Sequence, residues 1–137
     1  MSDQQLLRRA GGVFLVGFGI HNLDHVRRGI EGINEQVIWG GTAVAIISGV
    51  VLTLVFTKHR LAPNAAAAAG IGIAIGVTAT HLLPHWSSLS DPLPGGAVDG
   101  FTWFAVLAEV LGAVVLGLAG LRESARLRFS TAPPTSA

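Results

Sequence analysis

Cysteine is missing from this 137-residue chain, and its one methionine is the first residue. Thiolate and thioether chemistry are therefore excluded: no disulfide, no redox thiol pair and no cysteine-held cluster. Any metal site must be built from histidine and carboxylate. Charge is scarce too. Only 12% of residues are Asp, Glu, Lys or Arg, against 50% hydrophobic, a balance that leaves a soluble domain of this size short of polar surface. The nine Lys and Arg residues lie in the ends and connections of apolar blocks, which argues against a nucleic-acid surface.

The apolar residues come in blocks near the length needed to cross hydrocarbon about 30 Å thick, roughly 20 residues at 1.5 Å each. Four are expected to be helices: about Ala10 to Val26, Val37 to Thr57, Ala65 to His85, and Phe101 to Leu121. Breakers separate them at Gly29 to Asn34, Lys58 to Asn64 and the Ser, Pro and Gly-rich Ser87 to Gly100. Asn64 and Asp99 are the expected N-caps. The first block has a short clean run, Gly11 to Ile20 behind Arg8 and Arg9, the outline of a signal peptide. No small-x-small cleavage site follows, so a retained helix is expected.

The fold class expected is all-α, an integral membrane four-transmembrane-helix bundle in one domain, residues 1–128, with a short disordered tail over 129–137. Four crossings put Arg8, Arg9, Lys58, Arg60, Arg122, Arg126 and Arg128 on one side and only Arg27 and Arg28 on the other. The positive-inside rule then places both termini in the cytoplasm of a multi-pass cell-membrane protein. Small residues recur at four-residue spacing: Ala113 and Gly117 with Gly112 and Gly120 alongside, Ala68, Gly72 and Gly76, and Gly41, Ala45 and Gly49. Such stripes suit close packing in lipid, within a bundle, in a homodimer or in a larger membrane complex.

The chemistry lies in a histidine and carboxylate cluster. His21, Asp24 and His25 stand at i, i+3 and i+4, on one face of the first helix with Gly17 a turn earlier. His81 and His85 repeat the i, i+4 spacing on the third, and Pro84 between them strips a hydrogen bond from the Thr80 carbonyl and is expected to kink that helix. The first and third helices run in the same direction, so both pairs reach the outer end. Glu109 on the fourth helix lies about a turn deeper, on a face with Ala105, Gly112, Ala113 and Gly117, and a buried carboxylate there needs a partner, a proton or a cation.

Imidazole and carboxylate without sulfur suit Zn, Fe or Cu. The metal set expected is His21, Asp24, His25, His81, His85 and Glu109, as ligands or their immediate support. The alternatives are a haem held between the first and third helices, a proton- or cation-coupled transporter, and an accessory subunit that packs through its glycines. His59, between Lys58 and Arg60, is expected to be a solvated basic residue. Trp39, Trp86 and Trp103 are expected near the interface, and Glu31, Glu35, Asp91 and Asp99 facing solvent. Thr78, Thr80 and Asn22 either support the histidines or bond back to their own helices.

Overall fold

The computed structural model describes residues 2–29, 33–96 and 98–130. Their regular structure is all helical, with no strand among them: α1 Asp3–Arg28, α2 Glu35–Phe56, α3 Ala62–His81 and α4 Gly100–Ser130. Three of these, α2, α3 and α4, are long and apolar enough to cross a membrane. The 22 residues of α2 extend about 33 Å at 1.5 Å each. With 26 residues α1 has ample length, but its last two turns, with His21, Asn22, Asp24, His25, Arg27 and Arg28, and Arg8 and Arg9 near its start leave it less apolar than the other three.

Local chemistry sets the helix ends. Ser2 and Gln5 form a reciprocal capping box at the start of α1. The side chain of Asn34 caps α2 by accepting from the Gln36 amide. Asp99 caps α4 as expected, accepting from the Thr102 amide at 3.0 Å. Asn64 does not cap α3. Pro63, with φ preset for a helix, lets α3 begin at Ala62, so Asn64 falls inside the first turn and accepts instead from the Ser124 hydroxyl.

The far end of α3 also differs from expectation. It stops at His81 rather than running through a kink to His85. Pro84 has no amide hydrogen and its ring crowds the preceding turn, and Leu83 before it is biased away from helical backbone. At the other extreme α4 continues past Leu121 to Ser130, carrying Arg122, Arg126 and Arg128 on its last turns. The expected tail thus begins inside a helix, and its remainder, 131–137, lies outside the described residues.

The core is organised around α4, which packs antiparallel against α1 and against α3. Asp3 meets Arg122 at one end of the α1 and α4 pair, and Arg27 meets Asp99 at the other. Two helices antiparallel to a third are parallel to each other, so α1 and α3 end at the same level. Glycine permits the approach. A Cβ at Gly17 would stand 2.4 Å from the Ala108 carbonyl oxygen, one at Gly70 2.4 Å from the Gly117 nitrogen, and one at Gly120 2.5 Å from the Ala67 nitrogen. Backbone cannot yield at such distances.

The small-residue stripe on α4 therefore packs as expected through Gly112, Ala113, Gly117 and Gly120. The stripes on α2 and α3 do not pack within the bundle. Gly41, Gly49, Gly72 and Gly76 have no atom within 4 Å of an added Cβ, and the packed face of α3 is Ala66, Gly70, Ala74 and Val77 instead. Four-residue spacing marks a helical face without saying which way it points. On α3 the exposed Ile71 and Ile75 flank Gly72 and Gly76 and share their outward direction.

Candidate metal centre

Three imidazoles converge where α1 and α3 end. His21, His25 and His81 each bring one nitrogen to within 4.8 Å of the others, a spacing that fits a shared metal ion. The ring centroids of His21 and His25 are 4.7 Å apart, as the i, i+4 step on α1 dictates, and those of His21 and His81 are 5.0 Å apart across the helix interface. His21 and His81 are buried and His25 is half-buried.

Two of these rings are held from behind. The Glu109 carboxylate is 2% exposed and pairs with Nδ1 of His21. The contact exists because Gly17, one turn before His21, lets α1 ride directly on the α4 backbone at Ala108 and Glu109. Nδ1 of His81 donates to the backbone carbonyl of Asp91 at 3.0 Å. In both residues Nδ1 is engaged and Nε2 is the nitrogen left for a ligand. A carboxylate or carbonyl behind a histidine fixes its tautomer and orientation, and strengthens it as a metal donor.

Asp91 is a residue that sequence reasoning placed in solvent. Pro84 brings it to the site. With no amide hydrogen at Pro84, the Thr80 carbonyl is orphaned, and the chain folds back so that the Asp91 amide takes it at 2.9 Å and the Leu93 amide takes the His81 carbonyl at 2.8 Å. The Trp86 indole donates to the Ala79 carbonyl at 2.7 Å. Leu93 then inserts into the core at 2% exposure. The segment 82–96 is thus a folded cover pinned to the end of α3. Oδ2 of Asp91 is buried with no hydrogen bond among the described residues, and stands 3.6 Å from Nδ1 of His81 and 3.8 Å from the Arg28 guanidinium.

The other expected members of the set lie elsewhere. Asp24 is 1% exposed, but its carboxylate turns to Arg27 at 2.8 Å and to Arg28 at 4.0 Å, not to the imidazoles. Arg27 also reaches Asp99 at 2.9 Å and the Thr102 hydroxyl at 3.3 Å, tying the end of α1 to the start of α4. His85 is exposed beyond the end of α3, because the i, i+4 relation to His81 disappears with the helix. Asn22 bonds back to the Phe18 carbonyl at 2.8 Å. His59 is exposed as expected, and its Nδ1 accepts from the Leu61 amide. Glu35 faces solvent and accepts from the Trp39 indole, and Asp99 is exposed as well as capping. Glu31 lies outside the described residues.

At Asp99, the Thr102 amide and then the Arg27 guanidinium favour the charged form and hold its carboxyl below the ordinary value of 3.8. The polar groups around the imidazoles thus form a connected layer of carboxylates, arginines and carbonyls across α1, the cover and α4. No protein-family model, curated protein or solved structure matches this chain.

Proposed function

We propose that this chain is a four-span membrane protein whose His21, His25 and His81 bind one transition metal, with Glu109 and the Asp91 carbonyl as the groups that aim two of the ligands. The observation that carries the reading is the convergence of three histidine nitrogens within 4.8 Å while Nδ1 of His21 and of His81 is tied back. A tetrahedral ion with nitrogens at about 2.0–2.1 Å needs them about 3.3 Å apart, so binding would draw the three rings closer together. Three imidazoles leave such an ion one position short. That pattern suits exchange with water or a small ligand better than a closed structural site.

Zn and Cu are favoured by a site of imidazoles alone, and Fe stays in the set if solvent oxygens join. A haem is less well supported. His25, with its ring centroid 4.7 Å from that of His21 and 5.9 Å from that of His81, occupies space a porphyrin between them would need.

Counting α1 as the fourth crossing helix rests on its full-length antiparallel contact with α4 and on its outward face, where Val13, Val16, Leu23 and Val26 are each more than half exposed. The distribution of basic residues then supports termini on the cytoplasmic side.

Elemental analysis of detergent-purified protein tests the metal. Wild type loaded separately with Zn, Cu and Fe should retain about one equivalent of a preferred metal, and a His21→Ala, His81→Ala double variant should retain none. Glu109→Gln should reach the same stoichiometry with affinity lower by about 10–100-fold. Absence of retained metal in the wild type after all three loadings sinks the proposal, and a Soret band that the double variant loses establishes haem in its place.

A further inference from the structure

The opposite end of the bundle, where α1 begins and α4 ends, carries basic side chains of two kinds. Arg122 and Arg126 are compensated: Asp3 meets Arg122 at 3.0 Å and Arg126 at 3.3 Å, and Glu123 holds Arg126 at 3.0 Å. Arg8, Arg9, Lys58 and Arg60 are exposed and have no ion pair or side-chain hydrogen bond among the described residues. Uncompensated charge at one end of an apolar bundle calls for an anion from outside the chain.

Two features localise that anion. Arg8 and Arg9 stand beside a groove between α1 and α2 whose other lining residues are Gln5 and Phe56, the latter 39% exposed as an apolar wall. Two residues past Phe56, the chain turns through Lys58 with φ of 57°. The Lys58 amide donates to the Val55 carbonyl and the His59 amide to the Leu54 carbonyl, a helix ending whose left-handed residue is most often glycine. A Cβ-bearing residue is disfavoured there. This chain keeps a lysine there regardless, two residues along the chain from the Phe56 wall of the groove, in a conformation that glycine would adopt more readily.

We propose that Arg8, Arg9 and Lys58 hold the phosphate of an anionic phospholipid from the leaflet at this end, with an acyl chain lying along Phe56. The proposal rests on the membrane reading given above and is independent of the metal. A lipid is the occupant because the groove joins guanidinium groups to an apolar wall on a helix surface that otherwise shows Val13, Val16 and Val50 outward. A basic residue near an anionic membrane surface contributes roughly fivefold in binding.

The test is reconstitution into nanodiscs of equal phosphatidylglycerol and phosphatidylcholine, with native mass spectrometry of the lipids that stay bound on release. Wild type should retain phosphatidylglycerol in preference. R8Q/R9Q should reduce the preference by about 25-fold, and R8K/R9K should keep it. K58G should remove about a further fivefold while leaving the helical content intact, since glycine relieves the turn. Failure to insert into the bilayer would overturn the membrane reading itself. Insertion with equal retention of both lipids, or a preference unchanged in R8Q/R9Q, would overturn the lipid site alone, and displacement by millimolar inorganic phosphate would show a free-anion site instead.

Discussion

The two ends of the bundle handle charge in opposite ways. Where α1 and α3 finish, the carboxylates packed between the helices and the cover are answered from within the chain: Asp24 by Arg27 and Arg28, Asp99 by Arg27, Asp91 by Arg28 and His81, Glu109 by His21. Where α4 finishes, Arg8, Arg9, Lys58 and Arg60 are left to the surroundings. Internal compensation desolvates and orders side chains, as a ligand site requires. Uncompensated charge leaves long side chains in water or among headgroups, where they attract anions without fixing a geometry. Chemistry is therefore expected at the first end and adhesion at the second.

The contact that most depends on this order is the approach of α1 to α4. Gly17→Ala places a Cβ 2.4 Å from the Ala108 carbonyl, so the helices must separate at the level where His21 meets Glu109. A loss of about 3 kcal/mol in unfolding free energy is expected, together with weakened metal retention. Gly12→Ala, on the same helix with nothing within 4 Å, should be neutral or slightly stabilising, since alanine is the better helix former. Thermal unfolding in one detergent compares the pair. Equal midpoints for the two variants would mean that α1 is not held against α4 as described.

Next in size is the arginine contrast. Arg27→Ala leaves Asp24, 1% exposed, with only the more distant Arg28 at 4.0 Å. Stranding a buried carboxylate is destabilising, and because the Arg27 side chain is itself 47% exposed and Arg28 remains, the loss should be clear but smaller than that for Gly17→Ala. Arg9→Ala should change stability by less than about 0.5 kcal/mol. Denaturation that moves equally for both variants would erase the distinction between the two ends.

Much of this was readable from residue spacing. The helical blocks, the face shared by His21, Asp24 and His25, the parallel course of the first and third helices, and a buried Glu109 in need of a partner all follow from period and length. What spacing does not carry is direction. Asp24 lies on the histidine face yet turns to Arg27, because a salt bridge three residues on competes with the imidazoles for its oxygens. Gly72 and Gly76 keep the same four-residue interval as Ala113 and Gly117 on α4, yet they point away from the core that the latter pair packs. His85 and Asp91 were both misplaced for one reason: Pro84 ends the helix rather than bending it, which releases His85 and frees the Thr80 carbonyl for the Asp91 amide. An orphaned carbonyl followed by a loop containing Pro92 and Pro94 was the available signal, since such a loop is too constrained to be a slack connection.

The smallest expected effect concerns Asp99, which joins helix capping to the arginine layer. Its carboxylate accepts from the Thr102 amide and meets Arg27, and both interactions favour the charged form, so its folded pKa lies below the ordinary 3.8. A depressed folded value contributes stability that is fully present above the unfolded value and is lost as pH falls through the folded one. Asparagine at this position keeps an acceptor for the Thr102 amide but gives up the charge. Wild type should therefore melt above Asp99→Asn by a small, constant margin from pH 7 to about pH 5, and the margin should close as pH falls below 3.8. Arg9→Gln, measured over the same range against wild type, should show no such closing margin, because no carboxylate among the described residues is paired with it. A difference between wild type and Asp99→Asn that persists unchanged at pH 3 would mean that the Asp99 charge does not bind α1 to α4, and that its role ends with capping.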